Sequence, residues 1–237
     1  GAAARALLAG HVRPGVTTAE LDRLVDEFIR SRGGVPTFLG YPGPYPYPAS
    51  ICASLNDVVV HGIPNGEPLS EGDVLSVDVG GTYEGFVGDS AYTYKVGEVE
   101  GEAERLLEIC EAALWAGIEK ARSGAHLSDV SHAIQTVTEE AGFSVVRSLV
   151  GHGVGRDMHE DPQIPNFGEP GHGPVLASGM TLAIEPMITA GEPEVVVRDD
   201  GWTIASRDGS LAAHFEHTVA VTDGEPRILT AAPVRVS

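Results

Sequence analysis

Four carboxylates stand where strand-forming sequence should be apolar. Asp78 lies in VLSVDVGG, Asp89 in GFVGDSAY, Glu185 in TLAIEPM and Glu216 in HFEHTVAV. Asp and Glu are poor strand formers, and a buried carboxylate without partners is costly to desolvate. Side chains alternate along a strand. Leu75, Val77 and Val79 therefore share one face, with Ser76 and Asp78 on the other. Leu182 and Ile184 likewise oppose Ala183 and Glu185, and Phe215, Val219 and Val221 oppose His214, Glu216 and Thr218. Three strands each pack an apolar face and aim one acid the other way. The plain alternative is a wet strand face, and for any single acid it is the better reading. It fails for the set. Each face offers one acid among small residues, and lysine occurs only at Lys95 and Lys120, so surface ion pairing does not account for the pattern. With His152 of GHGVG added, the donors are oxygen-rich with one imidazole, a set that suits hard or borderline divalent cations. Such a group carries about four negative charges, which two divalent ions neutralise and which otherwise repel until some bind protons. Two ions roughly 3.5–4 Å apart activate water and stabilise a tetrahedral intermediate.

The elements that must position these residues are legible in outline. Apolar spacing predicts a helix over 2–12. A second helix, capped by Thr17 or Thr18, runs through AELDRLVDEFIRSR to Gly33 and Gly34, with Leu21, Leu24, Val25 and Phe28 as its stripe. A third spans 102–122 on Leu106, Leu107, Ile109, Cys110, Ala113, Leu114 and Ile118, with Gly117 on the same stripe as a point of close packing. A fourth runs from Ser128 to Gly142. Alternation and β-branched residues predict strands over 73–79, 86–96, 181–188 and 215–222. The turn around Thr82–Gly85 joins the strands of Asp78 and Asp89. Each half thus offers helices and a strand pair, a weak hint of duplication without a residue-level repeat. The segment YPGPYPYP at 41–48 is too rich in proline for helix or central sheet and reads as a stiff surface loop.

Composition narrows the function. The 237 residues suit one large domain or two fused half-domains, and 42% hydrophobic content supports a sizeable core. A net charge of −19 argues against nucleic-acid or anionic-membrane partners. No apolar run approaches the roughly 18 residues of a membrane span. The opening GAAARALLAG lacks the basic start and apolar core of a signal peptide and reads as the inside of a helix whose N-terminal lead has been trimmed. Two cysteines, Cys52 and Cys110, make no disulfide framework, which places the protein in a reducing cytoplasm.

The run of motifs resembles a known family. HGIP at 61–64, SVDVG at 76–80, GFVGDS at 85–90, GHGVGR at 151–156, MHEDPQIP at 158–165, IEPM at 184–187, DGWTIASRDGSLAAHFEHTV at 200–219 and ASLNDVVV before His61 together resemble type I methionine aminopeptidases of the pita-bread metallopeptidase superfamily. The likeness covers nearly the whole chain. It implies an α+β pita-bread fold: antiparallel sheet in two pseudo-twofold related halves, with helices on the outer face, forming one catalytic domain over 1–237. It implies two divalent metal ions, of cobalt, manganese, iron or zinc. Asp78 would chelate the first, Asp89 and Glu216 would bridge both, and His152 and Glu185 would complete the second. Glu185 would also accept and return the proton in catalysis. His159 would hydrogen-bond the scissile carbonyl, and His61 would contact the amide nitrogen of that bond or the residue after it. The substrate would be the N-terminal methionine of nascent polypeptides with a small second residue, handled by a monomer with transient ribosome association and no nucleic-acid or membrane partner.

The methionine pocket implied by the likeness uses Tyr41, Cys52, Met158 and Trp202, with Tyr45 or Tyr47 as a second loop tyrosine; sulfur and aromatic rings suit a thioether guest. On residue type alone, core or loop packing would be the better reading of these aromatics. The chain departs from the family at Phe38, where cysteine is frequent, at Met158, where an aromatic is, at His214, where glutamine is, and in a 41–48 loop about three residues longer. His11, His126, His132, His172, His214 and His217 read as surface or structural. The alternatives are a proline-cleaving aminopeptidase on the same fold and a catalytically inactive binding module. A type II enzyme would need a helical insertion. Only 25 residues lie between His159 and Glu185 and 30 between Glu185 and Glu216, so none fits.

Overall fold

The computed structural model describes residues 1–231. The first half comprises α1 (Ala2–Ala9), α2 (Thr18–Ser31), β1 (Val35–Pro36), β2 (Cys52–Leu55), β3 (Val58–Val60), β4 (Val74–Asp78), β5 (Gly81–Tyr83), β6 (Phe86–Gly88) and β7 (Ala91–Lys95). The second comprises α3 (Glu102–Lys120), α4 (Leu127–Glu140), β8 (Ser144–Val145), β9 (Val150–Gly153), β10 (Glu160–Pro165), β11 (Thr181–Ile184), β12 (Met187–Thr189), β13 (Val195–Val197), β14 (Ile204–Ser206), β15 (Ala212–His214), β16 (His217–Ala220) and β17 (Arg227–Ile228). All pairings between these strands are antiparallel.

The four helices form where the apolar spacing places them, with ends moved by local chemistry. Thr17 is the cap of α2: its hydroxyl accepts from the Glu20 amide, and the Glu20 carboxylate accepts from the Thr17 amide, so two otherwise unpaired donors are satisfied. The buried stripe of α2 runs through Leu21, Val25 and Ile29, with Leu24 and Phe28 at its margin. On α3 a Cβ at Gly117 would stand 2.8 Å from the Ile134 side chain, so the glycine is what lets α3 approach α4. Two apolar cores result. Leu8, Leu21, Val25, Leu75 and Val77 lie between α1–α2 and the sheet β2-β4-β7. Leu106, Cys110, Ile134, Leu182 and Val219 lie between α3–α4 and the sheet β10-β9-β11-β16-β17.

Three of the expected long strands are broken, each at or beside a carboxylate. The 86–96 segment divides into β6 and β7 around Asp89 and Ser90, 181–188 into β11 and β12 around Glu185 and Pro186, and 215–222 begins late because Phe215 and Glu216 separate β15 from β16. Backbone bonding explains the breaks. The Asp89 amide donates to the Thr218 hydroxyl, the Glu216 amide crosses to the Ala91 carbonyl, and Pro186 has no amide to give. The chain leaves the ladder at each acid, and at Asp89 and Glu216 it stitches the two halves together. The opposite strand faces are not wet: Ser76, Thr93 and His214 are buried against one another, with the Thr93 hydroxyl donating to the His214 carbonyl and accepting from its amide.

Candidate active site

The seam between the halves gathers the five residues. Asp78 ends β4, and the β5–β6 hairpin turns at Glu84 and Gly85, both with positive φ, to return the chain to Asp89. His152 projects from β9, Glu185 follows β11 and Glu216 precedes β16. Ligand atoms of Asp89, His152 and Glu216 all lie within 4.8 Å of one another. The His152 Nε2 stands 3.7 Å from Asp89 Oδ2 and 3.4 Å from Glu185 Oε1. Asp78 lies close enough to Asp89 for their charges to interact. Gly151 and Gly153 admit close approach, but between strands: a Cβ on them would strike the Ala183 and Asp161 carbonyls.

The electrostatics are those of acids crowded out of water. Burial, then the Asp89 charge, holds the Asp78 carboxyl well above the usual range; burial does the same to Glu185 and Glu216 and pushes Asp89 up to about 7. Burial also lowers His152 to about 4, so it presents a neutral imidazole. Asp78 Oδ1, Asp89 Oδ1 and Glu216 Oε1 are buried without a hydrogen-bond partner among the described residues. Orphan oxygens of this kind carry a desolvation cost with no return. Lining one cavity beside a neutral imidazole, they fit divalent cations, and nothing else among the described residues satisfies them.

A cavity of about 280 Å³ opens onto this floor. One lobe is formed by Phe38, Tyr41, Tyr47, Cys52, Met158 and Trp202. Of the two candidate loop tyrosines, Tyr47 is the wall: it is buried, meets Trp202 edge-on at 5.1 Å, and its hydroxyl donates to the Gly62 carbonyl. Tyr45 lies outside, its carbonyl accepting from Trp202 Nε1. His61 reaches the cavity from a left-handed backbone, φ 58°, a strained conformation for a residue with a Cβ. Burial lowers it to about 4. His159 lines the cavity beside His152, with ring centroids 4.3 Å apart.

Sequence reasoning missed the opposite lobe: Val60, Ser148, Leu149, Val150, Met187 and His214. Three of these sit two residues from a carboxylate or imidazole of the floor, as 150 to 152, 187 to 185 and 214 to 216, which is the spacing of one strand face. That signal was available. His214 is therefore corrected from a surface or structural reading. It is 2% exposed, lines the cavity, and points Nε2 at Glu185 Oε2 from 3.5 Å. His217 is structural, its Nδ1 sharing a hydrogen bond with the Thr230 hydroxyl. His11, His126, His132 and His172 lie away from the cavity.

Known proteins are similar to this chain in sequence and fold. A methionine aminopeptidase of Bacillus subtilis is 49% identical over 220 residues, 93% of this chain and 88% of the relative. One of Mycobacterium tuberculosis is 50% identical over 236 residues, 97% of this chain and 87% of its own length. The crystal structure of methionine aminopeptidase from Rickettsia prowazekii superposes with a TM-score of 0.94 at 43% identity, covering 97% of this chain and 92% of that one. The sequence pattern of metallopeptidase family M24 matches residues 1–223, so a floor of acids without protein partners, a neutral imidazole among them and a matching fold have one source: this chain belongs to metallopeptidase family M24.

Proposed function

We propose that this chain is a methionine aminopeptidase, a metal-dependent hydrolase that removes the N-terminal methionine from peptides and nascent proteins with a small second residue. The observation that carries the reading is the union of a buried acid floor with a lobe of sulfur and aromatic side chains in one cavity. Cys52 and Met158 offer polarisable sulfur, and Trp202 and Tyr47 offer ring edges and faces to a thioether. Two divalent ions, of cobalt, manganese, iron or zinc, would be held by Asp78, Asp89, His152, Glu185 and Glu216, with Asp89 and Glu216 serving both. When bound, the ions supply Lewis acidity and a nucleophile drawn from water.

The chain's own residues do the rest. The apolar lobe takes the methionine side chain and excludes water from it. His159 donates a hydrogen bond to the scissile carbonyl oxygen as charge develops there. His61 holds the amide nitrogen of the scissile bond or the residue that follows. Glu185, whose carboxyl binds protons above the usual range when the ions are absent, accepts a proton and returns it to the departing amine. The opposite lobe of Val60, Leu149 and Met187 limits the second residue to small side chains. The reading treats 1–237 as one catalytic unit, monomeric and cytoplasmic, acting on emerging chains in transient contact with the ribosome. Two buried free thiols accord with a reducing compartment.

Elemental analysis of the purified protein, paired with peptide cleavage before and after chelation, tests the proposal. Cleavage of Met-Ala-Ser that chelation abolishes and divalent ions restore is the expected result. Preference for Ala-Pro-Ala would move the chain to the proline-cleaving enzymes, and metal binding without hydrolysis would make it a binding module. Equal rates on Met-Ala and Met-Arg peptides would remove the small-residue rule.

A further inference from the structure

The base of the proline-rich loop does more than wall the cavity. Tyr41 is held there by three backbone hydrogen bonds: its amide donates to the Phe38 carbonyl, its carbonyl accepts from the Tyr47 amide, and the Gly40 amide donates to the Tyr47 carbonyl. Prolines 42, 44, 46 and 48 stiffen the turn between them. From that base the Tyr41 oxygen reaches His159 Nδ1 at 2.5 Å, and the two rings meet edge to face with centroids 5.4 Å apart. The His159 ring also packs edge-on with His152, their centroids 4.3 Å apart. The imidazole is thus fixed between a phenol and a second imidazole, and its Nδ1 is occupied.

A neutral imidazole carries one N–H and one acceptor nitrogen, and the partner of one nitrogen sets the role of the other. The Tyr41 hydroxyl has no hydrogen-bond partner but His159 among the described residues. A phenol O–H is a stronger acid than the N–H of a neutral imidazole, and an imidazole nitrogen is a stronger base than a phenol oxygen. The phenol is the group with a proton to give. With Nδ1 accepting, the proton of the imidazole lies on Nε2.

We propose that Tyr41 is a positioning residue that donates its hydroxyl proton to His159 Nδ1 and so fixes His159 as the Nε2–H tautomer, the only form able to donate from its free nitrogen to the substrate carbonyl. The proposal rests on the role given to His159 above and adds the residue that sets it. Loss of the hydroxyl leaves the ring in the cavity wall, so the methionine lobe keeps its shape while the donor is lost from part of the population.

The test is a double-mutant cycle with a spectroscopic arm. In the metal-loaded enzyme, Tyr41→Phe lowers kcat on Met-Ala-Ser by about tenfold or more, with KM within about twofold. Added to His159→Ala, the same substitution changes kcat by less than about twofold, because the group it acts through is gone. An unchanged kcat in Tyr41→Phe, a loss confined to KM, or an equal loss in both backgrounds would overturn the proposal. Nitrogen-15 spectra of the histidine-labelled, ion-free wild-type protein show the proton of His159 on Nε2, and Tyr41→Phe introduces the Nδ1–H form. A wild-type His159 protonated on Nδ1 would overturn it as well. The spectra report the tautomer in a preparation that cleaves nothing, so failure of the methionine aminopeptidase reading and failure of the Tyr41 assignment give different results.

Discussion

The two halves follow one plan and diverge where recognition begins. Each lays down two helices and then three antiparallel strands, β2, β4 and β7 in the first and β9, β11 and β16 in the second. In each, one acid stands at the end of the central strand, Asp78 on β4 and Glu185 just past β11. A second acid stands just before the last strand, Asp89 ahead of β7 and Glu216 ahead of β16. The first strands differ: β2 sets Cys52 opposite Asp78, whereas β9 sets His152 opposite Ala183. The first half adds the 41–48 loop and His61, and the second adds the turn bearing Met158 and His159. The floor is therefore divided between equivalent places in both halves, while the 41–48 loop, His61 and the turn of Met158 and His159 are wall segments without a counterpart. Shared backbone geometry explains the duplicated hint in the element order. Unlike ligands and unlike loops explain why no residue-level repeat is visible.

The largest effect should come from breaking the floor in either half. Asp89→Ala and Glu216→Ala are expected to abolish peptide cleavage alike, because each removes a shared ligand. Retention of more than about a tenth of wild-type kcat/KM, a loss under about 1.4 kcal/mol, in one but not the other would show the halves to be unequal. Next, His159→Ala removes one oxyanion donor and should lower kcat by roughly 10²–10³; an unchanged kcat would take the second-half wall out of the chemistry. Stability offers a comparison away from the site. Leu75 and Leu182 are fully buried on the central strand of each half. Leu75→Ala and Leu182→Ala should each cost about 2–5 kcal/mol in denaturant unfolding. A large difference between them would mean that one half is held less tightly than the other.

The smallest effect is a pH dependence that the ions reverse. In chelated protein Asp89 titrates at about 7, whereas an unfolded aspartate titrates near about 3.9. The raised folded value means the folded state holds the proton longer, so stability is lost as pH rises from the unfolded value to the folded one, and Asp78, Glu185 and Glu216 carry the same sign. Buried His61 and His152, lowered to about 4, act oppositely, but only below the ordinary histidine range. Across about pH 4 to 7 the lowered histidines other than His152 act alike in chelated and ion-loaded protein, so the difference between the two reports the acids. Relative to ion-loaded protein, chelated protein should therefore lose a few degrees of Tm across that window, at about 2–4 °C per kcal/mol for a chain of this length. The ligands of ion-loaded protein contribute no such loss, because they are already deprotonated. Identical melting profiles with and without ions would separate the acids from ion binding.

The sequence alone determined the helices, because each buries a stripe at helical spacing, and it determined the floor, because acids in apolar strands have few physical explanations. It also marked the Glu84–Gly85 turn between Asp78 and Asp89. Tertiary structure decided the rest. Where each strand breaks depends on partners far away in the chain, as when Glu216 leaves its ladder for the Ala91 carbonyl. The choice of Tyr47 over Tyr45 and the reach of Tyr41 to His159 are contacts across more than a hundred residues. Periodicity reports which face a side chain takes on its own element. It carries no information about what another element brings to that face.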